Sequence, residues 1–230
     1  MSAKRPHIIC HMACSIDGKI DGSALRNLMP PGEYEELHDK LGGQAWICGR
    51  TTMQQHFAAS DPFLSTDSAP AGSESVYVAR LADSYAVSVD TMGRLHWTNN
   101  EISGDHLICV LSESAPLEYL AMLRAQSISY IVAGKDAVNL PRVMELLRAN
   151  FGIERLLLEG GGHINGGFLQ AGLVDEISLL LLPGIDGRPQ IAALFDGLEA
   201  VSSIATPLAL KSVDRRQGDA LWLRYDVLRS

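Results

Sequence analysis

The chain has 230 residues, 47% hydrophobic and 20% charged, enough apolar content for a full globular core. Its formal net charge of −8 leaves no basic field to hold a polyanion, which excludes nucleic acid as the main partner. No apolar run approaches the ~18 residues of a membrane span, and the opening MSAKRPHIICHMACSIDG lacks the apolar core and cleavage site of a signal peptide. The cysteines at 10, 14, 48 and 109 form no C-x-x-C and read as reduced core residues of a cytoplasmic protein. Two-residue strand periodicity puts Cys10 and Cys14 on one face and His7 and His11 on the other, so these four do not converge on a metal.

In chain order, His7–Ala13 reads as a buried strand ended by the Asp17-Gly18 turn. Pro30-Pro31-Gly32 opens a helix over Glu33–Leu41. Ala45–Cys48 is a short strand, Thr51–Ala58 a helix, and Ser60–Ser75 a Ser/Pro/Asp-rich loop long enough for a lid or flap. Strands follow at Val76–Ala79, Tyr85–Val89 and His106–Leu111, then a helix over Pro116–Ala125 and a strand over Tyr130–Ala133. Leu140–Asn150 is a helix stopped by Gly152, Leu156–Leu158 a strand, Ile164–Ala171 a helix and Glu176–Leu182 a strand. Leu208–Val213 and Ala220–Val227 form a closing antiparallel hairpin. No repeat or linker divides residues 1–230, so the expectation is a single domain with helices on both faces of a mostly parallel sheet and an antiparallel edge.

Three strand-to-loop segments carry chemistry. Leu156–Leu158 runs through Glu159 into Gly160-Gly161-Gly162 and a helix, a geometry in which bare backbone and free helix N–H groups can meet a phosphate. The spacing is not G-x-G-x-x-G, and a tight turn is the bland reading of one such glycine. Gly49-Arg50-Thr51-Thr52 is a second strand-to-helix turn, with an arginine able to fork onto a phosphate. Here the bland reading is N-capping by a threonine. Two such turns at strand ends suit the two ends of one dinucleotide. The third segment, after the first strand, carries Ser15, Asp17 and Lys19.

Taken together, Ser15–Ile20 (S-I-D-G-K-I), Gly49–Thr52 (G-R-T-T), Asp61-Pro62-Phe63-Leu64 and Leu157–Ile177 (L-L-E-G-G-G-H-I-N-G-G-F-L-Q-A-G-L-V-D-E-I), with Leu221–Tyr225, resemble the reductase half of the bifunctional riboflavin-biosynthesis deaminase/reductases, in the dihydrofolate-reductase-like superfamily. The resemblance spans roughly residues 6–228 and includes no zinc-deaminase signature. It implies an α/β, three-layer αβα fold and an NADPH-dependent reductase, usually a homodimer, acting on a ribosylamino-pyrimidine 5-phosphate. It further implies cofactor contacts at Ala13, Gly49, Arg50, Thr51, Thr52, Gly160, Gly161, Gly162 and His163, with Arg50 on the 2′-phosphate. Ser15, Lys19, Arg26 and Asp61 fall on the substrate side, and Asp17 and Glu159 are the catalytic carboxylates. The family's arginine after the D-P-x-L loop is absent, since residues 64–75 hold no Arg or Lys, so Arg26 or Lys19 would take the substrate phosphate.

A pterin-type reductase is the close alternative. It needs a buried carboxylate on the helix after the first strand, whereas helical spacing turns Tyr34, Leu37 and Leu41 inward, Glu35, Glu36 and Asp39 outward and leaves Glu33 on the flank. A catalytically silent NADPH-binding sensor is the other alternative. Asp175-Glu176 reads as a capping or interface pair, and His56 and His163 as surface or turn residues.

Overall fold

The structure is a computed structural model and describes residues 4–66, 69–197 and 205–228. The chain forms two compact units: Gln44–Leu156 with the N-terminal residues up to Pro6, and His7–Gly43 with Leu157 onward.

The second unit begins with β1 (His7–Cys14), whose Ile8, Ile9 and Cys10 are fully buried, as expected of a near-continuous apolar strand. Then come α1 (Gly22–Leu25) and α2 (Glu33–Leu41). The first was not anticipated. Asp21 initiates it by accepting the Ser23 N–H at 2.9 Å, a cap signal that four helical residues are too few to reveal by periodicity.

The first unit follows with β2 (Ala45–Gly49), α3 (Arg50–His56), β3 (Ser75–Tyr77), β4 (Tyr85–Val89), β5 (Glu101–Ile102), β6 (Asp105–Leu111), α4 (Leu117–Ala125), β7 (Ser129–Val132) and α5 (Leu140–Phe151). Its strands run β2-β4-β6-β7-β3, the first three pairings parallel and the last antiparallel. The two-residue β5 adds antiparallel to β6 and has no period of its own to betray it. α5 starts at Asn139, which caps Arg142 N, carries Pro141 in its first turn and ends on Gly152 at φ 70°. It buries Val143, Met144, Leu146, Leu147 and Phe151, each worth roughly 1.5–3 kcal/mol of transfer free energy before chain entropy is charged against it.

β8 (Arg155–Leu158) leads back into the second unit, which adds α6 (Gly162–Gln170), β9 (Glu176–Leu181), β10 (Leu208–Arg215) and β11 (Leu221–Val227). β1 and β9 are parallel, in register from Ile9↔Glu176 to Cys14↔Leu181, while β9–β11 and β11–β10 are antiparallel. A single 3₁₀ turn at Gln217–Asp219, with Gly218 at φ 65°, closes the expected hairpin. A mostly parallel α/β sheet with antiparallel C-terminal strands is thus the observed class.

The 60–75 loop is not the loose flap its composition suggested. Its described residues are tied to α4: Glu118 accepts from Ser65 Oγ and Thr66 N at 2.7 Å, Phe63 packs edge-on to Tyr119, and Ala71 N donates to Ala115 O. Residues 67 and 68 lie outside the described part.

Candidate functional site

In the second unit, β1 ends at Cys14 and the chain turns through Ser15, Asp17 and Lys19. Ser15 Oγ donates to Asp17 Oδ1 at 2.6 Å and accepts the Lys19 N–H at 3.0 Å. Asp17 also accepts from the backbone N–H of Asp186 and Gly187, at 3.0 and 2.9 Å. The Ser15 hydroxyl and then these two backbone donors hold the Asp17 carboxyl well below the usual carboxylate range. Tied to these donors, the ionised carboxylate holds the 184–188 turn against the loop after β1. Lys19 is similarly committed, its Nζ donating to Ile191 O at 3.0 Å. Beside them Arg188 bridges Asp21 and Asp186, at 2.7 and 2.6 Å. Arg26 is exposed at the C-cap of α1.

The glycine turn after β8 also answers to packing. Gly160 sits at φ 95°, a region other residues rarely adopt, with Met12 closing the space a Cβ would need. At Gly162 a Cβ would fall 2.3 Å from Ala193 O and 2.7 Å from Asp196 Oδ2, because the 193–196 turn lies directly on the start of α6. Asn165 Nδ2 holds that turn through Leu194 O at 2.9 Å. Two of the three glycines therefore have structural causes, the positive φ of the turn at Gly160 and the packing of residues 193–196 at Gly162. Gly161 is the N-cap of α6, His163 is exposed on its first turn, and Ala13 is half-buried in β1.

Glu159, at the mouth of this turn, is bound by a residue the sequence reading missed. His38 Nδ1 lies 2.8 Å from Glu159 Oε1, with the two side chains 28% and 12% exposed. His38 follows Tyr34 by four residues and so shares its side of α2, a hint the apolar spacing could have given. Tyr34 in turn stacks on buried His11, centroids 4.3 Å apart, and donates its hydroxyl to His11 O at 2.9 Å. Trp222 Nε1 donates to Ser178 Oγ at 2.8 Å, leaving that hydroxyl to donate to His11 Nδ1 at 3.1 Å. Burial pushes His11 below its ordinary pKa, only partly offset by Glu159, so the ring is a neutral structural group.

Three further carboxylates of this unit are structural. Glu33, expected on the flank of α2, is only 3% exposed and paired with Arg216, which also reaches Glu36 at 2.8 Å. A carboxylate neutralised in this way does not meet the pterin-type requirement. Asp175 accepts from Ile8 N at 2.9 Å, and Glu176 is held by Lys211 and Arg224.

In the first unit, Gly49 is the extended N-cap of α3 at φ −78° and ψ 162°, and Arg50 opens the helix. No threonine caps it. Thr51 is exposed and Thr52 half-buried. Arg50 lines a small cavity of about 160 Å³ with Val89, Asp90, Thr91, Met92 and Arg94. Asp90 is fully buried: its Oδ2 accepts from Arg94 N and Leu95 N, both at 2.7 Å, while its Oδ1 has no hydrogen-bond partner among the described residues. Burial raises its pKa, against the pull of the Leu95 and Arg94 N–H groups and of Arg50. Asp61 is exposed and meets His96 at 3.1 Å. Neither Arg94 nor Asp90 was anticipated.

Among the described residues, no group of three His, Cys, Asp or Glu side chains is arranged to hold a metal, and no helix is long and apolar enough to cross a membrane. All four cysteines are buried and unpaired with one another.

The family model described as RibD C-terminal domain matches residues 6–221. The 2,5-diamino-6-ribosylamino-4(3H)-pyrimidinone 5′-phosphate reductase of Methanothermobacter thermautotrophicus is 32% identical over 214 residues, covering 90% of this chain and 91% of that protein. A pyrimidine reductase-like protein of Corynebacterium diphtheriae superposes with a TM-score of 0.74 at 18% identity, covering 98% of this chain and 93% of its own. RibD of Acinetobacter baumannii superposes with a TM-score of 0.72 at 19% identity, covering 99% of this chain and 59% of its own. At such identities the two structures bear on the fold.

Proposed function

This chain belongs to the RibD C-terminal domain family, and from that premise we propose that it is an NADPH-dependent reductase of a ribosylaminopyrimidine 5′-phosphate. The observation that carries the reaction class is the match to a reductase that is 32% identical over 214 residues, covering 91% of it. The choice of NADPH over NADH rests on Arg50 and Arg94 flanking one cavity: two guanidiniums suit a 2′-phosphate through charge-assisted hydrogen bonds.

When bound, the reduced nicotinamide supplies a hydride to the sugar carbon of the ring-opened imine. The protein's task is to fix that carbon and to deliver a proton to the imine nitrogen. Glu159, fixed by His38, is the carboxylate assigned to that proton. Ser15, Asp17 and Lys19 stitch the 15–21 and 184–194 loops into one substrate-side wall, with Arg26 the exposed cation available to the substrate phosphate and Asp61 a further substrate contact. Ala13, Gly49, Thr51, Thr52, Gly160, Gly161, Gly162 and His163 complete the proposed cofactor set.

The active form is proposed to be a homodimer in the cytoplasm. β10 is an edge strand with Leu208, Leu210 and Val213 exposed, a surface a second copy would cover. Purified protein, given 2,5-diamino-6-ribosylamino-4(3H)-pyrimidinone 5′-phosphate, should oxidise NADPH with a much higher kcat/KM than NADH. Tight NADPH binding without turnover on this or any pterin or carbonyl substrate would instead identify a sensor.

A further inference from the structure

The reaction assigned above needs Glu159 to present its carboxylate in one orientation, yet a glutamate at a strand end has a broad terminal torsion and few intrinsic restraints. His38 supplies a restraint. Glu159 Oε1 accepts from Nδ1–H, leaving the other carboxyl oxygen to hold the proton that is delivered to the substrate nitrogen, and at 2.8 Å in a pocket where Glu159 is 12% exposed the bond is shielded from water. We propose that His38 is a positioning residue for the reduction, orienting the Glu159 carboxylate toward the substrate nitrogen; this rests on the proton-donor reading of Glu159.

The attachment of α2 to the rest of its unit has several contacts besides that of His38. Leu37 and Leu41 are fully or almost fully buried, Tyr34 is bonded to His11, and Glu33 and Glu36 are tied to Arg216. The rotation of α2 is therefore set by other contacts, and the same rotation carries His38, one turn beyond Tyr34, onto Glu159. An imidazole is thus delivered to a site carboxylate across 121 residues of sequence, where it can hold that carboxylate in one orientation.

The test compares His38→Ala, His38→Asn and Glu159→Gln with the double variant Glu159→Gln/His38→Ala, in the full chain with NADPH and the pyrimidine substrate. His38→Ala should lower kcat on the order of 10²-fold, the loss that misplacing a catalytic group brings, with NADPH KM and melting temperature nearly unchanged. His38→Asn, whose amide N–H occupies the place of Nδ1–H, should recover most of that rate. In the Glu159→Gln background, His38→Ala should add no further loss, because the histidine acts only through the carboxylate. If His38→Ala is unfolded at the assay temperature, His38→Leu against His38→Asn makes the same comparison. Wild-type kcat in His38→Ala beside an impaired Glu159→Gln overturns the positioning role, as does an additive double variant. Full activity in Glu159→Gln overturns the proton-donor reading itself, and the positioning role falls with it.

Discussion

Removing the two arginines of the Val89–Arg94 cavity should change which cofactor the enzyme prefers. A hydrogen bond to a charged group contributes about 1.5–3 kcal/mol, and both guanidiniums reach water, so the low end applies. At about 1.4 kcal/mol per decade, Arg50→Ala or Arg94→Ala should raise the NADPH KM roughly tenfold each, and the double variant roughly a hundredfold. NADH lacks the 2′-phosphate, so its kcat/KM should stay where it was. Steady-state kinetics with both cofactors at a fixed pyrimidine concentration read the ratio directly. Equal losses with NADPH and NADH would refute the assignment, because a general distortion of the turn, not the loss of a phosphate contact, would then be responsible.

Other perturbations have equally definite outcomes. Glu176 is 2% exposed; burial alone would raise its pKa, but the nearby His7 and hydrogen bonds from Lys211 and Arg224 overcome this and bring it from 4.5 to about 2. A folded-state pKa below the unfolded one stabilises above pH 4.5, by roughly 3 kcal/mol at neutrality, and that contribution drains away as pH falls through 2. Urea titrations of Glu176→Gln should therefore show lower stability than wild type at pH 7 and a shallower decline between pH 4.5 and 2; parallel declines would contradict the network. Gly162→Ala places a methyl against Ala193 O and Asp196, so the melting temperature should drop by the equivalent of about 1–3 kcal/mol, as overpacking does. Asp17→Asn puts an amide N–H toward one of the two backbone donors and so breaks the clamp, and hydrogen exchange at Asp186 and Gly187 should accelerate well before α2 or β9 is affected.

The strands and longer helices were legible in the sequence because their signals are local. β1 is a buried apolar run, α2 follows Pro30-Pro31-Gly32, α5 ends on a glycine, and the last two strands flank a turn. The family resemblance was also legible, since its motifs are short and contiguous. α1 and β5 escaped because four and two residues carry no period. The loop at 60–75 read as a flap because composition says nothing of Glu118, some fifty residues on, which ties it down.

Chain chemistry by itself determined which turns carry glycines, cations and carboxylates, and that they fall at the ends of strands. Only the tertiary structure decided what each group is spent on. Asp17 meets its backbone donors 169 and 170 residues away, Glu33 its arginine 183 away and Glu159 its histidine 121 away. A carboxylate's role depends on which donors reach it and how much water is excluded, and both are set by long-range packing that no local pattern encodes. So Asp17 is tied to a distant turn, Glu33, expected on the flank of its helix, is buried against an arginine, and Glu159 meets an imidazole.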